Sequence, residues 1–198
     1  MGREKEGYIK FHYDWKKERI DTFQGFEQLN RLRSQLWDMG LVGMDDNGVG
    51  FGNLSIRLDN LRFVITGSQT GHKRKLTVQD WAIVEEFDID RNYLRCKGLV
   101  PASSESLTHA AIYSAKDQVN SVIHIHSLPL WEKYVDILPT TPDYAGCGTV
   151  QLAKEIAKLA ADLPDQAIVV LKGHKPGLVC FGGSIDGLDK IIAFLCGV

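Results

Sequence analysis

The sequence predicts an α/β fold in which a mixed sheet carries helices on its faces. Two observations lead there. Some stretches space apolar residues three and four apart, others alternate them or run them together over a few residues, and the two kinds interleave along the chain. No repeat, low-complexity tract or linker interrupts them, so residues 1–198 are expected to form one domain.

Residues 21–39 place Phe26, Leu29, Leu32 and Leu36 on one helical face, and Gly40 follows where a glycine closes a helix. The next segment begins glycine-rich and ends with Leu54, Ile56 and Leu58 alternating with Ser55 and Arg57, which predicts a loop feeding a half-buried strand. Phe63 to Thr66 is a second strand. Residues 81–87 and 92–96 are two more, joined as an antiparallel hairpin by the polar turn Asp88-Ile89-Asp90-Arg91. That turn resembles the start of a calcium loop, but Tyr93 and Leu99 stand where glycine and glutamate are needed.

A helix is expected after Ser103-Ser104, with Leu107, Ala110, Ala111 and Ser114 inward, because serine at a helix start accepts hydrogen bonds from the open N–H groups there. Val119 to Ser127 follows as a strand. Thr149 is placed to cap a helix running to about Ala161 with Leu152, Ile156 and Leu159 on one face. Ala167 to Leu171 is a short buried strand and Gly177 to Phe181 the last one. A closing helix from Ser184 has Leu188, Ile191, Ile192 and Leu195 to bury.

Hydrophobic residues at 44% and charged residues at 24% fit a soluble globular protein. Twenty-three Lys plus Arg against 25 Asp plus Glu leave a net charge of −2, without the basic excess that draws nucleic acid. The charged N-terminus lacks a signal-peptide core and no stretch is apolar enough to span a membrane, so a cytoplasmic location is expected. Met1-Gly2 is no lipidation signal, because Glu6 stands where Ser or Thr is required. Cys96, Cys147, Cys180 and Cys196 form no C-x-x-C pair and read as reduced structural thiols.

In Val122-Ile123-His124-Ile125-His126 the two histidines are two apart on a strand, so both project from one face and Ile123 and Ile125 from the other. Their rings can converge on zinc or another divalent transition metal. The alternative is a pair of histidines hydrogen-bonded at a sheet end. His174, in the tight loop Gly173-His174-Lys175-Pro176-Gly177 after a buried strand, is the third candidate ligand. His12, His72 and His109 read as structural, solvent-facing or substrate-touching. Glu105, in the first turn of its helix, is a carboxylate favoured by the helix dipole, a further ligand completing the coordination sphere, or a proton-handling group beside the metal. Ser103 and Ser104 make a natural anion site. The loop Gly67 to Lys75 combines glycines, hydroxyls and the basic run Lys73-Arg74-Lys75, a composition suited to a phosphate. Neither this loop nor Gly48 to Asn53 matches a P-loop or dinucleotide pattern.

From Phe26 to Asp186 the sequence resembles the class II aldolase/adducin family. The matching pieces are Gly52-Asn53-Leu54-Ser55, Thr70-Gly71 ahead of Lys75-Leu76-Thr77, Ser103-Ser104-Glu105, His124-Ile125-His126, the Tyr144 to Thr149 segment, and His174 with Gly177. The resemblance implies a three-layer fold with a mainly antiparallel central sheet, assembled as a homotetramer with sites at subunit junctions. It implies zinc on His124, His126 and His174, Glu105 as acid/base, and a sugar phosphate held by Asn53, Thr70, Gly71, Ser103 and Ser104. The implied activity is that of a metal-dependent lyase or aldolase acting through an enediolate. A dehydratase or epimerase would use nearly the same residues, and the adducin branch is a non-catalytic interaction module. Two departures stand out: Lys175 and Pro176 separate His174 from Gly177, and the stretch that carries the aldolases' tyrosine acid is shorter here, leaving Tyr144 as the nearest tyrosine.

Overall fold

The computed structural model describes residues 7–197; Met1-Gly2 and Glu6, on which the lipidation reading turns, lie outside the described residues. In chain order the elements are β1 (His12–Lys17), α1 (Phe26–Asp38), β2 (Gly43–Met44), β3 (Gly50–Phe51), β4 (Asn53–Arg57), β5 (Phe63–Thr66), β6 (Trp81–Asp88), β7 (Tyr93–Gly98), α2 (Ser106–Ala115), β8 (Ser121–His126), α3 (Leu128–Tyr134), β9 (Thr140–Thr141), α4 (Val150–Asp162), β10 (Ala167–Leu171), β11 (Gly177–Gly182) and α5 (Ile185–Cys196). Nine strands form one sheet in the order β1-β7-β6-β5-β4-β8-β11-β10-β9, and β2 pairs with β3 apart from it. Only β1 on β7 and β9 on β10 are parallel; the pairs between them are antiparallel. The expected central antiparallel sheet flanked by helices is the architecture found. Among the described residues no helix is long and apolar enough to cross a membrane.

Each face of the sheet has its own core, because alternate residues of every central strand point to opposite sides. On one face Val122, Val179 and Phe181 pack with Leu107 and Ala111 of α2 and Leu152 and Ile156 of α4. On the other, Ile123, Ile125 and Leu178 pack with Leu29, Leu32 and Leu36 of α1 and Leu188, Ile192 and Leu195 of α5. Side-chain caps define where two of these helices start: Thr149 accepts from Leu152 N and Ser184 from Gly187 N. Helix α1 ends as its glycine requires, with Gly40 at φ +70° and Leu41 N donating to Leu36 O at 2.8 Å.

Two polar residues on α1 are also buried, and they hold the loop that follows β5. Asn30 donates to Leu76 O at 2.6 Å and accepts from Leu76 N at 3.1 Å. Arg33 donates to the carbonyls of Lys73, Arg74 and Thr70. Burial pulls the Arg33 guanidinium down to about 10, which still leaves it charged at neutral pH. A buried cation spending its donors on three carbonyls of one loop fixes that loop's shape.

Some local expectations fail. Ser55, expected to face solvent, is fully buried, because β4 lies between β5 and β8 with α2 packed over it. Its hydroxyl is hydrogen-bonded to His109 Nδ1 at 2.7 Å and to the Tyr113 hydroxyl at 2.8 Å. Ser114, expected inward, is exposed; α2 is enclosed over Ser106 to Tyr113 and emerges only at its end. Leu58 falls outside β4, which stops at Arg57. Strands β1, β2, β3 and β9 and helix α3 have no counterpart in the sequence reading.

Burial pushes the His109 imidazole down to about 3. Its folded value therefore lies below the unfolded one, and the unfolded chain takes up the proton first. The stability held by the neutral ring is complete above about pH 6.5 and drains away as pH falls toward 3. Urea titrations should find that this group alone makes the wild type about 2 kcal/mol less stable at pH 5 than at pH 7. The difference should vanish in His109→Gln, and equal slopes in the two proteins would refute a buried neutral histidine.

A candidate metal centre beside a polar cavity

Strand β8 is pinned on both sides, with His124 opposite Asn53 of β4 and opposite Val179 of β11. This central position gives the two histidine rings little freedom. His124 Nδ1 lies 3.0 Å from the Leu178 carbonyl, which can only accept, so Nδ1 carries the proton and Nε2 presents a lone pair on the other side. His126 is stacked on Phe51 with ring centroids 5.2 Å apart and planes 16° apart.

His174 enters from the loop between β10 and β11. Gly173 passes so close to a neighbouring segment that a Cβ there would sit 2.5 Å from the Ala145 carbonyl and 2.6 Å from the Asp143 carbonyl. Gly177, after the loop, would meet His124 Cε1 and the His174 carbonyl at 2.8 Å. The intervening Lys175 turns outward, over the Trp131 ring and onto Glu132, while His174 is buried beside His124.

The three candidate ligands are brought together. Ring centroids lie 4.8 Å (His124 to His126), 4.8 Å (His124 to His174) and 4.9 Å (His126 to His174) apart, and all three side chains are buried. One nitrogen from each lies within 4.8 Å of the others, and Nε2 of His124 and of His126 are 3.0 Å apart. A tetrahedral zinc with bonds of about 2.0–2.1 Å holds two ligand nitrogens roughly 3.3 Å apart, close to the 3.0 Å between His124 and His126. The donor set fits a divalent transition metal.

Glu105 is at the residue preceding α2, one position earlier than expected, and is buried with 3% of its surface exposed. Its Oε1 lies 3.9 Å from His174 Nδ1, and its Oε2 is buried without a hydrogen-bond partner among the described residues. Ser103 and Ser104 form the turn before it, Ser103 Oγ accepting from Glu105 N at 3.3 Å.

Beside Glu105 opens a cavity of about 390 Å³. Asn53, Thr70, Gly71, Ser103 and Ser104 all line it, together with Glu105 and Phe51, so the sequence-predicted anion residues share one space. Gly71 is obligatory there, since a Cβ would sit 2.0 Å from the Gly43 carbonyl. The basic run does not serve as expected. Lys73 is paired with Asp80 and Arg74 with Asp38, so neither ammonium nor guanidinium lines the cavity. Burial alone would raise the Asp80 carboxyl, but hydrogen bonds from Lys73 and Thr77 hold it below its ordinary value. The two cations anchor the loop, and its part that lines the cavity is Gly67 to His72, with Gln69 and His72 beside the glycines and hydroxyls.

Sequence reasoning missed Phe51 and Cys147. The Cys147 thiol donates to Glu105 Oε1 at 2.7 Å. The flanking pattern Gly146-Cys147-Gly148 was the available signal, since glycines on both sides mark a close approach of backbones. None of the four cysteines is disulfide-bonded.

The model of the Class II Aldolase and Adducin N-terminal domain matches residues 38–188. The L-fuculose phosphate aldolase of Methanocaldococcus jannaschii is 30% identical over 159 residues, which cover 71% of this chain and 77% of that protein. A Mycoplasma pneumoniae protein named "Probable L-ribulose-5-phosphate 4-epimerase UlaF" is 29% identical over 104 residues, 51% of this chain and 41% of that one. The crystal structure of YgbL from Klebsiella pneumoniae superposes with a TM-score of 0.66 at 19% identity, covering 87% of this chain and 84% of that one, a likeness of fold.

Proposed function

Because the chain belongs to the class II aldolase and adducin N-terminal domain family, we propose that it is a metal-dependent lyase that cleaves a small phosphorylated ketose in an aldol-type reaction. The observation that carries this reading is the buried cluster of His124, His126 and His174 with Glu105 Oε1 3.9 Å from His174 Nδ1, Glu105 itself lining a cavity rich in hydroxyls and glycines. Zinc is the metal proposed, on imidazole ligands alone.

Each part of the site has a task in this reading. Asn53, Thr70, Gly71, Ser103 and Ser104 bind the phosphate through hydroxyls, amide and backbone N–H groups, the two serines at the entrance to α2, where an anion is favoured. The Leu178 carbonyl and the Phe51 ring hold the His124 and His126 imidazoles in place. Glu105 takes a proton from the substrate carbon or returns it. When bound, the metal supplies positive charge at a substrate carbonyl, which acidifies the adjacent C–H and steadies the charge left when a bond breaks.

Zinc-loaded protein in deuterium oxide should exchange a carbinol hydrogen of dihydroxyacetone phosphate or a related ketose phosphate. Dialysis against a chelator should abolish the exchange and zinc should restore it. Folded, zinc-loaded protein that exchanges none of these ketose phosphates would overturn the reading. Epimerisation is the second reading, favoured by the similarity to the epimerase-named relative, and product analysis separates the two. A non-catalytic adducin-like module would bind no metal.

A homotetramer is part of the proposal, and the exposed Ile137, Tyr144 and Phe194 are consistent with surface that assembly would cover. Light scattering at micromolar concentration should give four chains; an active monomer would contradict a site completed by a neighbouring subunit.

A further inference from the structure

Both Cys147 and Glu105 are buried, and the thiol reaches Glu105 Oε1 across 2.7 Å. The turn that carries Cys147 is fixed from several sides. Lys10 Nζ, from the segment leading into β1, donates to the Cys147 carbonyl at 2.7 Å. Thr149 Oγ1 donates to the Gly146 carbonyl at 2.8 Å while capping α4. Gly148 has φ +63°, and a Cβ there would stand 3.2 Å from the Ser104 carbonyl and 3.8 Å from Glu105 Oε1. The same segment presses its Asp143 and Ala145 carbonyls against Gly173, beside His174. It is thus wedged between the Glu105 turn and the His174 loop.

A carboxylate rotates easily about its last bond, so a base with no anchor on either oxygen spends little time aimed at its proton. Here the oxygens are unequal: Oε1 has the thiol and Oε2 has no hydrogen-bond partner among the described residues. A thiol is a weak donor, able to orient the group without taking up its basicity as stronger donors would. We infer that Cys147 is a positioning residue that holds Glu105 Oε1 and leaves Oε2 as the oxygen that accepts and returns the proton. The inference rests on the proposed role of Glu105 as the acid/base. The competing arrangement is a thiolate ligand, since Cys147, Glu105 and His174 also place ligand atoms within 4.8 Å of one another.

Two measurements decide it. The infrared S–H stretch of Cys147, isolated as the difference between the zinc-loaded wild type and Cys147→Ser, should lie at low frequency and move up in Glu105→Gln. No S–H band from Cys147 in the zinc-loaded protein, or one indifferent to Glu105→Gln, would overturn the inference whether or not the protein turns over any ketose phosphate. In the exchange assay Cys147→Ala should lower kcat about tenfold, about 1.4 kcal/mol, with KM and zinc content unchanged, and Cys147→Ser should recover most of it. Wild-type kcat in Cys147→Ala, or a serine variant as slow as the alanine one, would show that the thiol positions nothing. A wild type with the shifted band and no exchange would instead count against the aldolase reading alone.

Discussion

Glu105→Gln should fold, keep its metal and lose turnover by about 10²- to 10⁴-fold, the range general acid–base catalysis contributes. The substitution preserves shape and removes the basic lone pair. Stability does not discriminate between roles, because a carboxylate just ahead of α2 gains about 0.3–1 kcal/mol from the helix dipole whether or not it is catalytic. Exchange of deuterium into a bound ketose phosphate does discriminate. A base must sit within reach of its proton, and Glu105 combines burial, a position lining the cavity and an oxygen with no partner among the described residues. Metal content has to be measured in the same sample, since loss of metal would also stop exchange. Wild-type exchange by a metal-loaded Glu105→Gln protein would return Glu105 to a structural role at the helix start.

Purified protein should carry close to one zinc or similar divalent ion per chain, and His124→Ala or His126→Ala should lower that content sharply. With only three imidazoles in the cluster, deleting one leaves two protein ligands, fewer than a stable tetrahedral site needs. The loss should reach folding as well. Metal that binds only the native state raises its stability by RT ln(1 + [L]/Kd), about 2.7 kcal/mol at a hundredfold excess over Kd. The wild type should therefore melt higher with zinc than without it, and the double variant should melt alike in both. Stoichiometric metal in His124→Ala/His126→Ala would place the ion elsewhere.

Much of this was legible in the sequence where side-chain periodicity and burial coincide. Helices α1, α4 and α5 bury most of the residues their spacing indicated, with Phe26 and Leu159 only half-buried, and β8 carries its histidines on one face. Strand β1 was hidden because it is an edge strand held by parallel pairing to β7 through its backbone; its residues are exposed apart from a half-buried Trp15, so no alternation shows. Helix α3 is short and has Pro129 in its first turn, which reads as a turn. In the candidate site, residue identity brought out the histidines and Glu105. The partners of Lys73 and Arg74 were beyond reach, because Asp38 lies 36 residues from Arg74 and charge composition cannot tell an ion pair from a phosphate clamp. Cys147 escaped for a related reason: its flanking glycines mark a close approach of backbones, but nothing local names a carboxylate 42 positions away as the partner.

Strand β8 also ties the chemistry to the fidelity of folding. Its register sets Ile123 and Ile125 into the layer under α1 and α5 and sends His124 and His126 the other way. A slip by one residue would exchange the two pairs, burying imidazoles among leucines and putting isoleucines where the candidate ligands now converge. Each buried polar group left unsatisfied costs about 1–3 kcal/mol, so misregistered chains would be rejected by the same two histidines that serve the candidate centre. Strand β8 acts as its own proofreader, and insertions or deletions within it should not survive. Changes in which molecule is accepted then have most room at the rim, at positions such as Tyr8, Met44 and Val49, because Gly52, Gly67 and Gly71 leave no space for a Cβ.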